Sequence, residues 1–94
     1  MIPYNDEIDH IAKVYKALGE PTRVKIIRLM AKQDELSCTE ISKSLNLIAG
    51  STLSHHLKLL TECGLLKLKK VGVYHIYQIQ KEVLKHYAPA VIDY

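Results

Sequence analysis

The sequence has no tryptophan and no phenylalanine, so six tyrosines carry its whole aromatic content. Leucine and isoleucine must therefore fill the core. The only cysteines are Cys38 and Cys63. Without a secretory context, such a pair reads as free thiols in a reducing compartment, and a disulfide framework is excluded. No apolar run approaches the roughly 18 residues that suggest a membrane span. No signal peptide is recognisable, so a cytoplasmic location is expected and a membrane partner is not. A P-loop, G-x-S-x-G, H-E-x-x-H and C-x-x-C are all missing. No enzyme activity and no cofactor are therefore expected. There is no internal repeat or low-complexity segment, and 94 residues fit one domain, expected over 1–94. A domain of this size hides roughly two-thirds of its unfolded surface, so the core is modest.

Charge is informative by position rather than by total. The net value is +3. Residues 1–50 hold seven basic and seven acidic side chains, and residues 81–94 also balance. The excess falls within 51–80, where Lys58, Lys67, Lys69 and Lys70 face only Glu62. Clustered positive charge is the footprint of a phosphate-binding surface. The plainer reading is that lysines keep an exposed strand edge soluble.

The segment Ser37 to Gly64 reads as two short helices joined by a tight connection. Ser37 and Glu40 form S-x-x-E, a capping box, and Leu36 with Ile41 suits a hydrophobic staple. The second helix runs from about Ser51 to Cys63, and Gly64 suits the left-handed residue that follows it. At 100° per residue, Leu53, Leu57 and Leu60 share one face. Ser51, His55, Lys58 and Glu62 lie opposite, with Thr52, Ser54 and Leu59 at the margins. A leucine face backed by short polar side chains is what a major-groove reader needs. An ordinary surface helix with a solvated side gives the same pattern.

Around this pair the chain reads in order. Asn5 or Asp6 is expected to cap a first helix. Ile8, Ile11, Tyr15 and Leu18 recur along one face of it, and Gly19 ends it. Pro21 suits the first turn of a second helix, with Val24, Ile27 and Met30 inward. Gln33-Asp34-Glu35 reads as a polar turn. After Gly64, Leu66 and Leu68 alternate with Lys67 and Lys69, Gly72 marks a turn, and residues 74–79 alternate on the return. A last helix runs from Lys81 to about Ala88, and Pro89 stops it. The fold class is therefore mostly α (α+β): four helices, a two-stranded hairpin and a fifth helix.

S-T-L-S-H-H-L-K-L-L-T-E-C-G-L-L, followed by a basic hairpin ending in Y-Q-I, resembles the ArsR/SmtB family of winged helix-turn-helix repressors. Upstream, A-L-G-E-P-T-R-V-K-I-I-R-L-M is similar to that family's A-L-x-[DE]-P-T-R-x-x-I-L segment. The match spans about residues 17 to 80, and the connection at Leu47–Gly50 is one residue longer than the family's usual turn. The resemblance implies a DNA-binding transcriptional repressor that acts as a homodimer on double-stranded DNA. Base contacts are expected from Ser51, Thr52, Ser54, His55 and Lys58, and backbone contacts from Lys67, Lys69 and Lys70. The end helices would form the dimer seam through Ile8, Ile11, Tyr15, Val83, Leu84 and Tyr87. A winged-helix module for protein–protein contact is the competing function.

Many members of that family respond to metals, and two of their metal sites fail here residue by residue. One is E-L-C-x-C-[DE]-L; residues 35–41 read E-L-S-C-T-E-I, with Ser37 and Thr39 where thiolates belong. Hydroxyls are poor ligands for thiophilic ions. The other needs D-x-H on the last helix, where Lys81 and Val83 stand. No metal ligands are therefore expected. His55 and His56 are adjacent and point about 100° apart, so one helix cannot aim both at one ion. His56 reads as a packing residue. Asp9, His10 and His86 are the remaining candidates, should the end helices meet. Cys38 sits in a first helical turn, where the dipole favours thiolate. A redox- or metal-responsive repressor using Cys38 is thus the alternative.

Overall fold

The computed structural model describes residues 4–48 and 50–92. Five α-helices and three strands follow in the order α1 (Tyr4–Leu18), α2 (Pro21–Gln33), β1 (Glu35–Ser37), α3 (Cys38–Ser44), α4 (Ser51–Glu62), β2 (Leu66–Val71), β3 (Tyr74–Ile79) and α5 (Lys81–Tyr87). A 3-10 turn, Pro89–Val91, follows α5. Asn5 and Asp6 lie inside α1 rather than at its cap.

The antiparallel sheet has the order β1-β3-β2. β1 replaces part of the expected polar turn. Asp34, at φ 66, ends α2 and redirects the chain, and its carbonyl accepts from the Ile79 N–H at 3.0 Å. Three residues carry too little alternation to declare a strand. What makes them one is the partner strand, with Leu36 opposite Tyr77. The pleat turns Leu36, Leu66, Leu68, Tyr77 and Ile79 to one side of the sheet, where they pack in or against the core.

That core is aliphatic, as the missing Trp and Phe require. Ile26, Ile27 and Met30 of α2, Ile41 of α3, Leu53, Leu57 and Leu60 of α4, and Leu84 of α5 are fully or almost fully buried. From α1 the inward residues are Val14 and Ala17, whereas Ile8 and Tyr15 stay about half exposed. The apolar face expected on α1 is thus divided: Ile8 and Tyr15 turn away from the chain's own core, Ile11 is half-buried, and Leu18 packs against it. Among the described residues no helix is long and apolar enough to cross a membrane.

Candidate nucleic-acid interface

The capping box that starts α3 is present in both directions. Glu40 N–H donates to Ser37 Oγ at 3.1 Å, and Ser37 N–H donates to Glu40 Oε1 at 2.8 Å. These bonds to the Ser37 backbone and side chain hold the Glu40 carboxyl below its usual range, against a smaller opposing effect of burial. The turn into α4 is fixed from the α3 side. Ser42 is buried, and its hydroxyl donates to the Leu47 carbonyl at 2.6 Å, while Leu47 N–H donates to the Ser42 carbonyl at 2.8 Å. Asn46 takes a left-handed φ of 53 there, a conformation that asparagine tolerates better than most. Gly50, at φ 151, precedes α4, and its carbonyl accepts from Ser54 N–H at 2.9 Å. An added Cβ at Gly50 would meet nothing. The backbone angle, not space, is what asks for glycine.

α4 begins at Ser51 and presents the two faces expected of it. Leu53, Leu57 and Leu60 are buried, and Ser51, Thr52, Ser54, His55 and Lys58 are all exposed. β2 and β3 form a hairpin around Gly72, at φ 62. Lys67, Lys69 and Lys70 on it are exposed. The pleat sends Lys67 and Lys69 to the outer face and Lys70, opposite His75, to the other. Lys69 Nζ lies 3.5 Å from Glu35 Oε1 in an exposed pair. Val71, Val73 and Tyr74 stand exposed at the hairpin tip.

The E-P-T-R segment has a role that sequence reasoning missed. Glu20 caps α2 through a 3.1 Å bond from Arg23 N–H. Burial pushes the Glu20 carboxyl up, but the Thr22 and Arg23 backbone N–H groups, with the Arg23 guanidinium charge, outweigh it and lower its pKa. Arg23 Nε donates to the Ala17 carbonyl at 2.6 Å, Nη2 reaches the Lys16 carbonyl at 3.5 Å, and Nη1 faces His56 Nδ1 at 3.2 Å. His56 is therefore more than packing. It ties α4 to α1 and α2. The motif was visible in the sequence, but no local pattern says that Arg23 reaches a histidine 33 residues on.

The remaining candidates separate. Leu84 is 0% exposed within the chain's own core, so it has no surface to offer a dimer seam. Val83, Tyr87 and Ile11 are half-buried. The Tyr15 hydroxyl donates to the Tyr87 carbonyl, joining α1 to α5. His10 Nε2 lies 2.9 Å from the Cys63 carbonyl and must carry a proton to bond it. Its Nδ1 then accepts from the Tyr87 hydroxyl at 3.1 Å. With both ring nitrogens engaged, His10 has no lone pair left for a metal. Among the described residues no group of three or more His, Cys, Asp or Glu is placed to hold one. Lys81 Nζ is 2.6 Å from Asp34 Oδ1, so it is an ion-pair partner where the family's site has a carboxylate. Cys38 is partly buried against the core, and Cys63 is buried, which pushes its thiol up despite backbone hydrogen bonds and the Arg23 charge.

Comparison with known proteins supplies the context. Residues 20–67 match the family model for bacterial regulatory proteins of the arsR family. An uncharacterized HTH-type transcriptional regulator of Methanocaldococcus jannaschii is 32% identical over 84 residues, covering 85% of this chain and 93% of that protein. A cadmium resistance transcriptional regulatory protein, a CadC homolog of Staphylococcus aureus, is 39% identical over 77 residues, covering 80% of this chain and 61% of its own length. Among solved structures, a homodimeric winged helix-turn-helix DNA-binding domain from Mycobacterium bovis, described as a possible ArsR-family regulator, superposes with a TM-score of 0.81. It is 26% identical, and the match covers 96% of this chain and 82% of that one. The E-P-T-R start of α2, the helix-turn-helix of α3 and α4 and the first strand of the basic hairpin all lie in or at the edge of the matched region, and the chain belongs to the ArsR family of transcriptional regulators, with their DNA-binding winged helix-turn-helix fold.

Proposed function

We propose that the protein is a sequence-specific repressor that binds duplex DNA as a homodimer. α4 enters the major groove, where Ser51, Thr52, Ser54, His55 and Lys58 meet base edges. Lys67, Lys69 and Lys70 hold the flanking phosphates. One observation carries this reading: five polar residues of α4 are exposed together, opposite a buried leucine face, next to a hairpin with three exposed lysines. The Mycobacterium bovis neighbour is a homodimer, which supports pairing here through Ile8, Ile11, Tyr15, Val83 and Tyr87 on α1 and α5. No metal acts through the two family sites, because Ser37 serves as a helix cap and Lys81 pairs with Asp34.

The test is selection from random duplexes, followed by titration of the selected site against an unrelated one at several salt concentrations. The expected result is a defined, two-fold related site whose affinity falls steeply with salt. A protein-contact module would show neither site preference nor salt-dependent duplex binding. Release of the complex by oxidant, absent in Cys38→Ser, would make Cys38 the sensor.

A further inference from the structure

We infer that Glu20, Arg23 and His56 form a proton-responsive clasp that positions the recognition helix. Its consequence for DNA rests on the function proposed above; the clasp itself does not. Arginine only donates, and it keeps its charge at any relevant pH. The His56 Nδ1 that faces Arg23 Nη1 at 3.2 Å must therefore be the accepting nitrogen, with the ring proton on Nε2. In this state one guanidinium joins the C-terminal carbonyls of α1, the first turn of α2 and the side of α4. His56 stands between exposed His55 and buried Leu57, so its attachment sets where the polar face lies.

A second proton on the ring puts an N–H where Arg23 already presents one. Two donors and two like charges would then meet at 3.2 Å. The nearby acceptor is Glu20 Oε2, 3.7 Å from the same nitrogen. His56 lines a cleft of about 410 Å³ with Thr22, Asn46, Leu47, Ile48, Thr52 and Leu53, all uncharged. The His55 ring lies beside it on α4, 6.5 Å between centroids. Protonation therefore moves the ring from Arg23 toward Glu20 and loosens the joint between α4 and α1. Base-edge hydrogen bonds weaken steeply with misalignment, whereas phosphate contacts are less particular. Site selectivity should thus fall once the ring gains its second proton, while general duplex binding does not.

The experiment follows Arg23 and selectivity together, from pH 8 to pH 5.5 at constant ionic strength. In the free protein, the NMR signal of Arg23 Nε–H should titrate in step with the His56 ring. His56→Asn keeps an acceptor near the Nδ1 position but takes no proton, so its Arg23 signal should stay constant. In the wild type, the ratio of selected-site to unrelated-duplex affinity should fall at least threefold. His56→Asn should hold its ratio, and since both proteins keep His55, that residue cancels from the comparison. Arg23→Lys, which loses the fork, should show a low ratio at every pH. A His56 ring that titrates with no response from Arg23 overturns the clasp. A wild-type ratio that is flat, or one that falls equally in His56→Asn, overturns its positioning role. Absence of duplex binding by the wild type at low salt would instead sink the proposed function, with the Arg23 signal still deciding the clasp.

Discussion

Neutralising Lys69 and Lys70 together is the perturbation that best isolates the hairpin. Both side chains are exposed, so Lys69→Gln with Lys70→Gln should leave the fold intact. Lys69 begins in an exposed pair with Glu35. Such a pair is worth about 0.2–1 kcal/mol, so trading it for a phosphate is affordable. Each phosphate contact adds about 0.9 to the slope of log affinity against log salt, so losing two lowers it by about 1.8 per subunit. Between 50 and 200 mM salt that slope corresponds to a factor of about 12 per subunit. The double variant should therefore lose less affinity over that range, and it should weaken selected and unrelated duplexes alike. Glu35→Gln, which frees Lys69, should strengthen both. Fluorescence anisotropy at four or five salt concentrations measures all of this. A loss confined to the selected site, with the slope unchanged, would refute the assignment of these lysines to phosphate.

His55→Ala and Lys58→Ala should each cost about 1–3 kcal/mol of selected-site affinity if they meet bases, with circular dichroism unchanged; unaltered affinity for both would move the reading face elsewhere on α4. Ile8→Asp, at a half-exposed α1 position, should raise the dimer dissociation constant with little loss of monomer fold. Leu84→Ala should do the reverse, destabilising the fold by about 2–5 kcal/mol, as sedimentation and thermal melts can separate. Ser37→Ala removes the α3 cap and should cost about 1 kcal/mol of stability. The Glu40 carboxyl is lowered in the folded state by its bonds to Ser37, so its contribution is complete above the unfolded pKa and is lost as pH falls through the folded one. Melting curves for Glu40→Gln should accordingly depend less on pH in the acid range than those of the wild type. Zinc, cadmium and arsenite under reducing conditions should leave the DNA complex intact. Release at stoichiometric metal that survives Cys38→Ser would reveal a site elsewhere.

Local chemistry settled a good part of this protein from the sequence alone. The S-x-x-E box at Ser37 needs only backbone groups within one turn, and the Leu53/Leu57/Leu60 face needs only a constant 100° step. The hairpin around Gly72 follows from alternation and one positive φ. Partners far apart in the chain were decided by the tertiary structure. β1 is three residues long and is a strand only because β3 lies beside it. Leu84 and Ile8 share the same apolar character, yet α5 turns one fully into the core while α1 leaves the other half exposed. His56 carries no sign in its neighbours that it meets Arg23 and Glu20, because the contact exists only where α4 crosses the start of α2. Helical and strand periods fix which residues share a face. Which face finds a partner within the chain, and which stays exposed, is fixed by packing between elements that sequence spacing does not encode.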